Sequence, residues 1–78
     1  MDITNIVSSE QMAAALAEVY VTYVYGAQAA QSQKPYRVQA LPEAWQVEGQ
    51  LPEAMLGGTF ELRLARMDGR VLALSHSR

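Results

Sequence analysis

The dipeptide Lys34-Pro35 separates two hydrophobic periodicities, and that separation limits the fold more than any other feature of the chain. Before it, apolar residues recur at helical spacing; after it, they alternate with polar residues at every second position. Proline disfavours helical geometry in the residue before it, so the helical part ends by Lys34 and an extended part begins at once. The order predicts an α+β chain in one domain: a tail over 1–7, a helical part over 8–34 and an antiparallel sheet over 35–78. A chain of 78 residues buries only about 60 to 65 percent of the surface it exposes when unfolded, so both parts have to share one core.

The stretch "VSSEQMAAALAEVYVTYVYG" carries helix punctuation. Ser8 is placed to cap, with Gln11 at the capping-box position and Val7 stapling onto Met12, and Gly26 supplies the stop. Met12, Leu16, Val19 and Tyr23 follow the spacing of one buried stripe, opposite a narrow polar ridge of Glu10, Ala14, Glu18 and Thr22. Most of this helix is therefore expected to lie under a curved sheet, with Val21 and Tyr25 off the stripe. "AQAAQSQ" at 27–33 predicts a short second helix.

Strand signals follow. Tyr36, Val38 and Ala40 alternate with Arg37 and Gln39; Trp45, Val47, Gly49 and Leu51 alternate with Gln46, Glu48 and Gln50. Joining them through the loop "LPEA" pairs Ala40 with Trp45 and Val38 with Val47, which puts both apolar sets on one face. For the last hairpin, a two-residue turn at Asp68-Gly69 would leave Leu72 and Leu74 on the polar face. A three-residue loop of Met67, Asp68 and Gly69 pairs Arg66 with Arg70, Leu64 with Leu72, Leu62 with Leu74 and Phe60 with His76. The prediction is helices on one face of a four-stranded antiparallel sheet, a cystatin-like layout. Its other face carries Arg37, Gln39, Gln46, Glu48, Gln50, Glu61, Arg63 and Ser75.

The residue inventory argues against most chemistry. No cysteine is present, so there is neither a disulfide framework nor a thiolate metal ligand, and a reducing compartment is permitted. A net charge of −2 provides no basic field for a nucleic-acid backbone. The N-terminus lacks the charged and apolar regions of a secretory signal, and the apolar run from Met12 to Tyr25 is too short to span a membrane. These features predict a soluble, cytoplasmic chain. "LPEA" at 41–44 and 51–54 presents Glu43 and Glu53 in matching contexts, but one strand separates them by roughly 20 Å, too far for a glycosidase carboxylate pair. Gly57 and Gly58 lack the strand, loop and helix of a phosphate-binding unit and read as a sharp turn or bulge into the third strand. His76 is the chain's one histidine, without a thiol partner; Ser75 and Ser77 adjoin it on a strand and point to the face opposite its own. Its place beside Phe60 makes it a lid on the core edge. Arg63, Arg66 and Arg70 are split between the outer face and the turn, and Tyr20, Tyr23, Tyr25, Tyr36 and Trp45 read as core rather than as a ligand pocket. No catalytic residue, cofactor site or metal site is predicted.

In order and spacing, "LAEVYVTYVYG", "KPYRV", "WQVEGQLP", "GGTFELRL" and "DGRVLALSH" resemble the small bacterial immunity proteins of the nuclear transport factor 2 fold group, found in polymorphic toxin systems. The resemblance implies a cystatin-like domain that binds and neutralises a secreted toxin encoded beside it, without catalysis. It gives mostly structural roles to the matched residues: Tyr25 and Gly26 end the helix, Pro35 and Tyr36 start the sheet, and Trp45, Gly49, Leu51 and Pro52 fix the next strand. Gly57, Gly58 and Phe60 start the third strand, and Asp68, Gly69 and His76 belong to the last hairpin. The pattern places the toxin contact on Arg37, Gln46, Glu48, Glu61 and Arg63, extended by loop residues Glu43 and Glu53; acidic groups there suit a basic toxin such as a nuclease. Two other readings stay open: a small-ligand-binding or enzymatic module using Trp45, the tyrosines and His76, and a homo-oligomerisation module built on the helix flank at Val21 and Tyr25.

Overall fold

The computed structural model describes residues 5–51 and 58–77. Helix α1 runs Glu10–Tyr25 and α2 runs Ala27–Ser32, followed by strands β1 (Arg37–Ala40), β2 (Ala44–Glu48), β3 (Phe60–Ala65) and β4 (Val71–His76). The strands form one antiparallel meander in the order β1-β2-β3-β4, with the helices packed on it, an α+β arrangement of the cystatin-like kind.

The cap of α1 lies one residue later than the sequence pattern predicts. Ser9, in extended geometry, accepts a hydrogen bond from the Met12 amide at 3.1 Å. That leaves Met12 rather than Gln11 at the third helical position, so no reciprocal capping box forms. Val7 is fully buried while Met12 is 41% exposed, so the expected staple gives way to a deeper role. The Ile6 and Val7 amides donate to the carbonyls of Met67 and Arg66 at 3.1 and 3.0 Å. The Trp45 indole N–H donates to the Val7 carbonyl at 2.9 Å. The C-terminal end of the expected tail is thus bound to the last hairpin.

The buried stripe of α1 is rotated from the expected one. Ala13, Ala17 and Val21 are fully buried, flanked by the partly buried Leu16 and Tyr20, while Val19 and Tyr23 are 62% and 91% exposed. Small side chains let the helix axis approach the sheet closely, and the larger residues turn outward. This removes Val21 from the surface and with it half of the oligomerisation flank read from the sequence. Gly26 then breaks the chain: its φ of 99° is open to glycine at little cost, and its amide closes α1 on the Thr22 carbonyl at 3.0 Å. The peptide Lys34–Pro35 that follows α2 is cis.

The first hairpin has the expected register, Val38 with Val47 and Ala40 with Trp45. The second has the expected pairs Phe60 with His76 and Leu62 with Leu74, but a different turn. Ala65 donates to the Arg70 carbonyl at 3.0 Å and Gly69 to the Ala65 carbonyl at 2.9 Å, so the loop holds four residues, 66–69, with Gly69 at a φ of 76°. Leu64 pairs with Val71 and Arg63 with Ala73, so Leu72 is an extra residue in a β-bulge. The longer loop shifts the register by one and the bulge shifts it back, which is why the far half agrees with expectation. Leu72 leaves the core as a result and is 46% exposed.

The core is built from Val7, the small residues of α1, Ala30 and the inward positions Trp45, Val47, Phe60, Leu62 and Leu64. Phe60 meets Tyr36 edge-on, with ring centroids 4.9 Å apart. Tyr36 donates its hydroxyl to the Ala30 carbonyl at 2.6 Å. Burial, and secondarily the negative charge of Glu18, raises the pKa of that phenol.

Candidate interaction surface

Every second residue of β1, β2 and β3 points away from the helices, and the register gathers these residues into two cross-strand rows. One row runs Arg37, Glu48, Glu61, Ser75; the next runs Gln39, Gln46, Arg63, Ala73. Five of the predicted contact residues, Arg37, Gln46, Glu48, Glu61 and Arg63, are therefore immediate neighbours on one face. Arg63 donates to the Gln46 amide oxygen at 3.2 Å, and Gln46 donates in turn to a Glu48 carboxylate oxygen at 3.4 Å. Glu48 and Glu61 stand directly opposite each other, a like-charge pair that works against stability. Among the described residues the ion pairs are Lys34 with Glu18 and Arg70 with Asp68, so none of the outer-face charges is neutralised by one. Such charges remain available to a partner.

Glu43 is exposed in the loop between β1 and β2, about 10 Å along the chain direction from Gln46. Its carbonyl accepts from the Arg66 amide at 3.1 Å. Its side chain lines a cleft of about 490 Å³ with Pro42, Met67, Arg70 and Leu72. Glu53 lies outside the described residues, as does Gly57.

The residues weighed for catalysis have structural partners. Gln33, 3% exposed, accepts from the Phe60 amide through its oxygen at 2.9 Å. This orients its nitrogen toward His76 Nε2 at 3.1 Å, which makes that ring nitrogen the acceptor. His76 Nδ1 then carries the proton and donates to the Ser77 carbonyl at 2.8 Å. The Tyr25 ring lies 4.9 Å from the imidazole between centroids. His76 is thus a joint between α2, β3 and β4. The Ser77 hydroxyl is engaged with Thr59. Arg66 stacks 4.5 Å over Trp45 and donates to the Ala44 carbonyl at 3.2 Å, and Arg70 pairs with Asp68, so the arginines of the last hairpin make no shared patch with Arg63. The tyrosines divide: Tyr20 and Tyr36 pack against the core, whereas Tyr23 and Tyr25 are exposed, contrary to the reading of all four as core. Among the described residues no cluster of three metal-ligating side chains occurs, and no helix is long and apolar enough to cross a membrane.

On α1, Glu18 receives the Lys34 ammonium at 2.7 Å and the Gln31 amide at 2.8 Å. The bond from Lys34 is the larger cause, and that from Gln31 the second, of a carboxyl pKa below its ordinary value.

Residues missed by the sequence pattern are the exposed apolar ones: Met12, Val19 and Tyr23 on α1, and Val71 and Leu72 at the start of β4. The run of alanines in α1 was the available signal, since a helix with small residues at 13 and 17 packs closest along that line.

Comparison with known proteins agrees with this geometry. The family model described as NTF2 fold immunity protein matches residues 12–78. Uncharacterized protein YbbC of Escherichia coli (strain K12) is 43% identical over 77 residues, which cover 97% of this chain and 63% of that protein. Uncharacterized protein YhhH of the same organism is 36% identical over 77 residues, 97% of this chain and 61% of its own length. The chain therefore spans about three fifths of these relatives. No solved structure matches it.

Proposed function

The chain belongs to the NTF2 fold immunity protein family, and from that membership we propose that it binds and neutralises a cognate secreted toxin by protein-protein contact, without catalysis, in the cytoplasm of the cell that makes it. The contact is the outer sheet face. Arg37, Gln46, Glu48, Glu61 and Arg63 form its centre, and Glu43 and Glu53 extend it at the loops. The observation that carries this reading is the adjacency of Glu48 and Glu61 in register with no ion-pair partner among the described residues. A fold tolerates such a pair at a cost of about 0.2–1 kcal/mol, and a basic partner converts the cost into attraction.

Carboxylates held on a rigid strand pair favour a toxin with a basic surface, and their field accelerates encounter more than it deepens affinity. Co-expression supplies the test. The neighbouring reading frame, expressed alone, is expected to arrest growth, and this chain to relieve the arrest. The paired reversals Glu48→Lys and Glu61→Lys should abolish relief while leaving the folded protein intact. Relief that survives both reversals assigns the contact to another surface. A toxin that this chain never relieves removes that toxin as its partner.

A further inference from the structure

The two edges of the sheet are built differently. β1 is four residues long, with Pro35 before it, Pro42 after it, and Lys34 and Arg37 at its start, the usual protection of an edge from further pairing. β4 is six residues long and carries no charge and no proline from Val71 to Ser75. Among the described residues no strand lies on its far side. Nor does α1 shield it, because that helix packs across β1, β2 and β3.

The backbone of β4 is set for a neighbour. Ser77 donates to the Thr59 carbonyl at 3.1 Å, so 59 and 77 are a hydrogen-bonded pair. Alternation makes 61 with 75 and 63 with 73 bonded pairs as well, and turns the N–H and C=O of Leu74 and His76 away from β3.

We propose that β4 pairs antiparallel with β4 of a second copy about a two-fold axis at Leu74, joining two four-stranded sheets into one of eight strands. Leu74 then stands opposite its own counterpart on the core side, and Ala73 stands opposite Ser75 of the other copy on the outer side. Small uncharged residues line the seam. The flanking charges are complementary: the row that holds Arg63 and Ala73 in one copy continues through Ser75 and Glu61 of the other. Arg63 and Glu61 are three strand spacings apart, about 14 Å, and their long side chains lean toward each other over small residues. The same row repeats in the opposite sense across the axis. No foreign strand is required to supply this match, since the chain's own register contains both halves. One strand edge buries less than about 1,200 Å², so the dimer is weak and forms with rising concentration.

Sedimentation of the wild-type chain from about 10 μM to about 1 mM is expected to show a monomer giving way to a dimer. Ala73→Lys with Ser75→Lys places like charges opposite each other twice across the seam and should raise the dimer dissociation constant at least about tenfold. Ala73→Glu with Ser75→Lys places opposite charges there and should keep the dimer. Circular dichroism of each variant checks the fold, and both substituted positions, 73 and 75, lie on the exposed outer face. A wild-type chain that stays monomeric throughout overturns the proposal. So does equal dimerisation of the two charge variants. If the wild type is monomeric and the lysine pair instead abolishes capture of a co-expressed toxin, the edge belongs to that partner.

Discussion

On the helix side of the sheet, Trp45, Val47, Phe60, Leu62 and Leu64 are 6% exposed or less, while on the opposite side Gln46, Glu48, Glu61 and Arg63 occupy the intervening positions and reach solvent. The same two strands therefore carry two kinds of constraint. Inward residues touch other residues of the chain, so changing them alters stability first. Outward residues touch little, and two of them repel each other, so their identities are free to answer to something outside the molecule.

This contrast can be broken from either side. The largest effect is expected for Phe60→Ala, which removes a fully buried ring and its contact with Tyr36. A loss of about 3–5 kcal/mol is comparable with the whole stability of so small a domain, and urea titration should find the variant largely unfolded. Gly49→Ala comes next. An added Cβ would overlap the Gln33 side chain and lie 2.8 Å from Phe60 Cδ2, so about 1–3 kcal/mol should be lost by the same measurement. Gln33→Ala leaves the buried Phe60 amide without its acceptor, a cost of about 1–3 kcal/mol, and should release the His76 ring from its fixed tautomer, visible in its nitrogen chemical shifts.

The outer face should behave oppositely. Glu48→Gln is expected to change stability by no more than about 0.5 kcal/mol, with any change upward as the repulsion of Glu61 is relieved, while toxin relief weakens. A large loss of stability there would erase the distinction between the faces. The smallest effect belongs to Glu18. Its folded pKa is depressed, so its contribution is present above the ordinary carboxylate value of about 4.3 and fades as pH falls through the folded one. Wild type and Glu18→Gln should therefore differ slightly near pH 7 and converge toward pH 3 in thermal unfolding.

Where two strands are joined by a short loop that shifts nothing, the sequence pattern is enough: alternation across "LPEA" pairs Val38 with Val47 and Ala40 with Trp45. The last hairpin was legible only in its far half, because a four-residue loop followed by a bulge ends in the same register as a three-residue loop without one. Alternation cannot separate these, and Leu72 changes sides between them. Helix α1 departs from its pattern for a different reason: apolar size points to Met12, Leu16, Val19 and Tyr23, whereas close packing on the sheet selects Ala13, Ala17 and Val21. The outer face was visible as a set of polar positions; the opposed carboxylates followed from register.

The clasp of Gln33 over Gly49 and against Phe60 also bears on how the sequence can drift. A side chain at position 49 becomes acceptable only after the residues at 33 and 60 have shrunk or moved, and each of those changes is harmful alone. The three positions should therefore vary together or not at all across relatives. A homologue with alanine or serine at the equivalent of 49 should also have lost the glutamine, and with it the bond that joins α2 to the imidazole of the last strand.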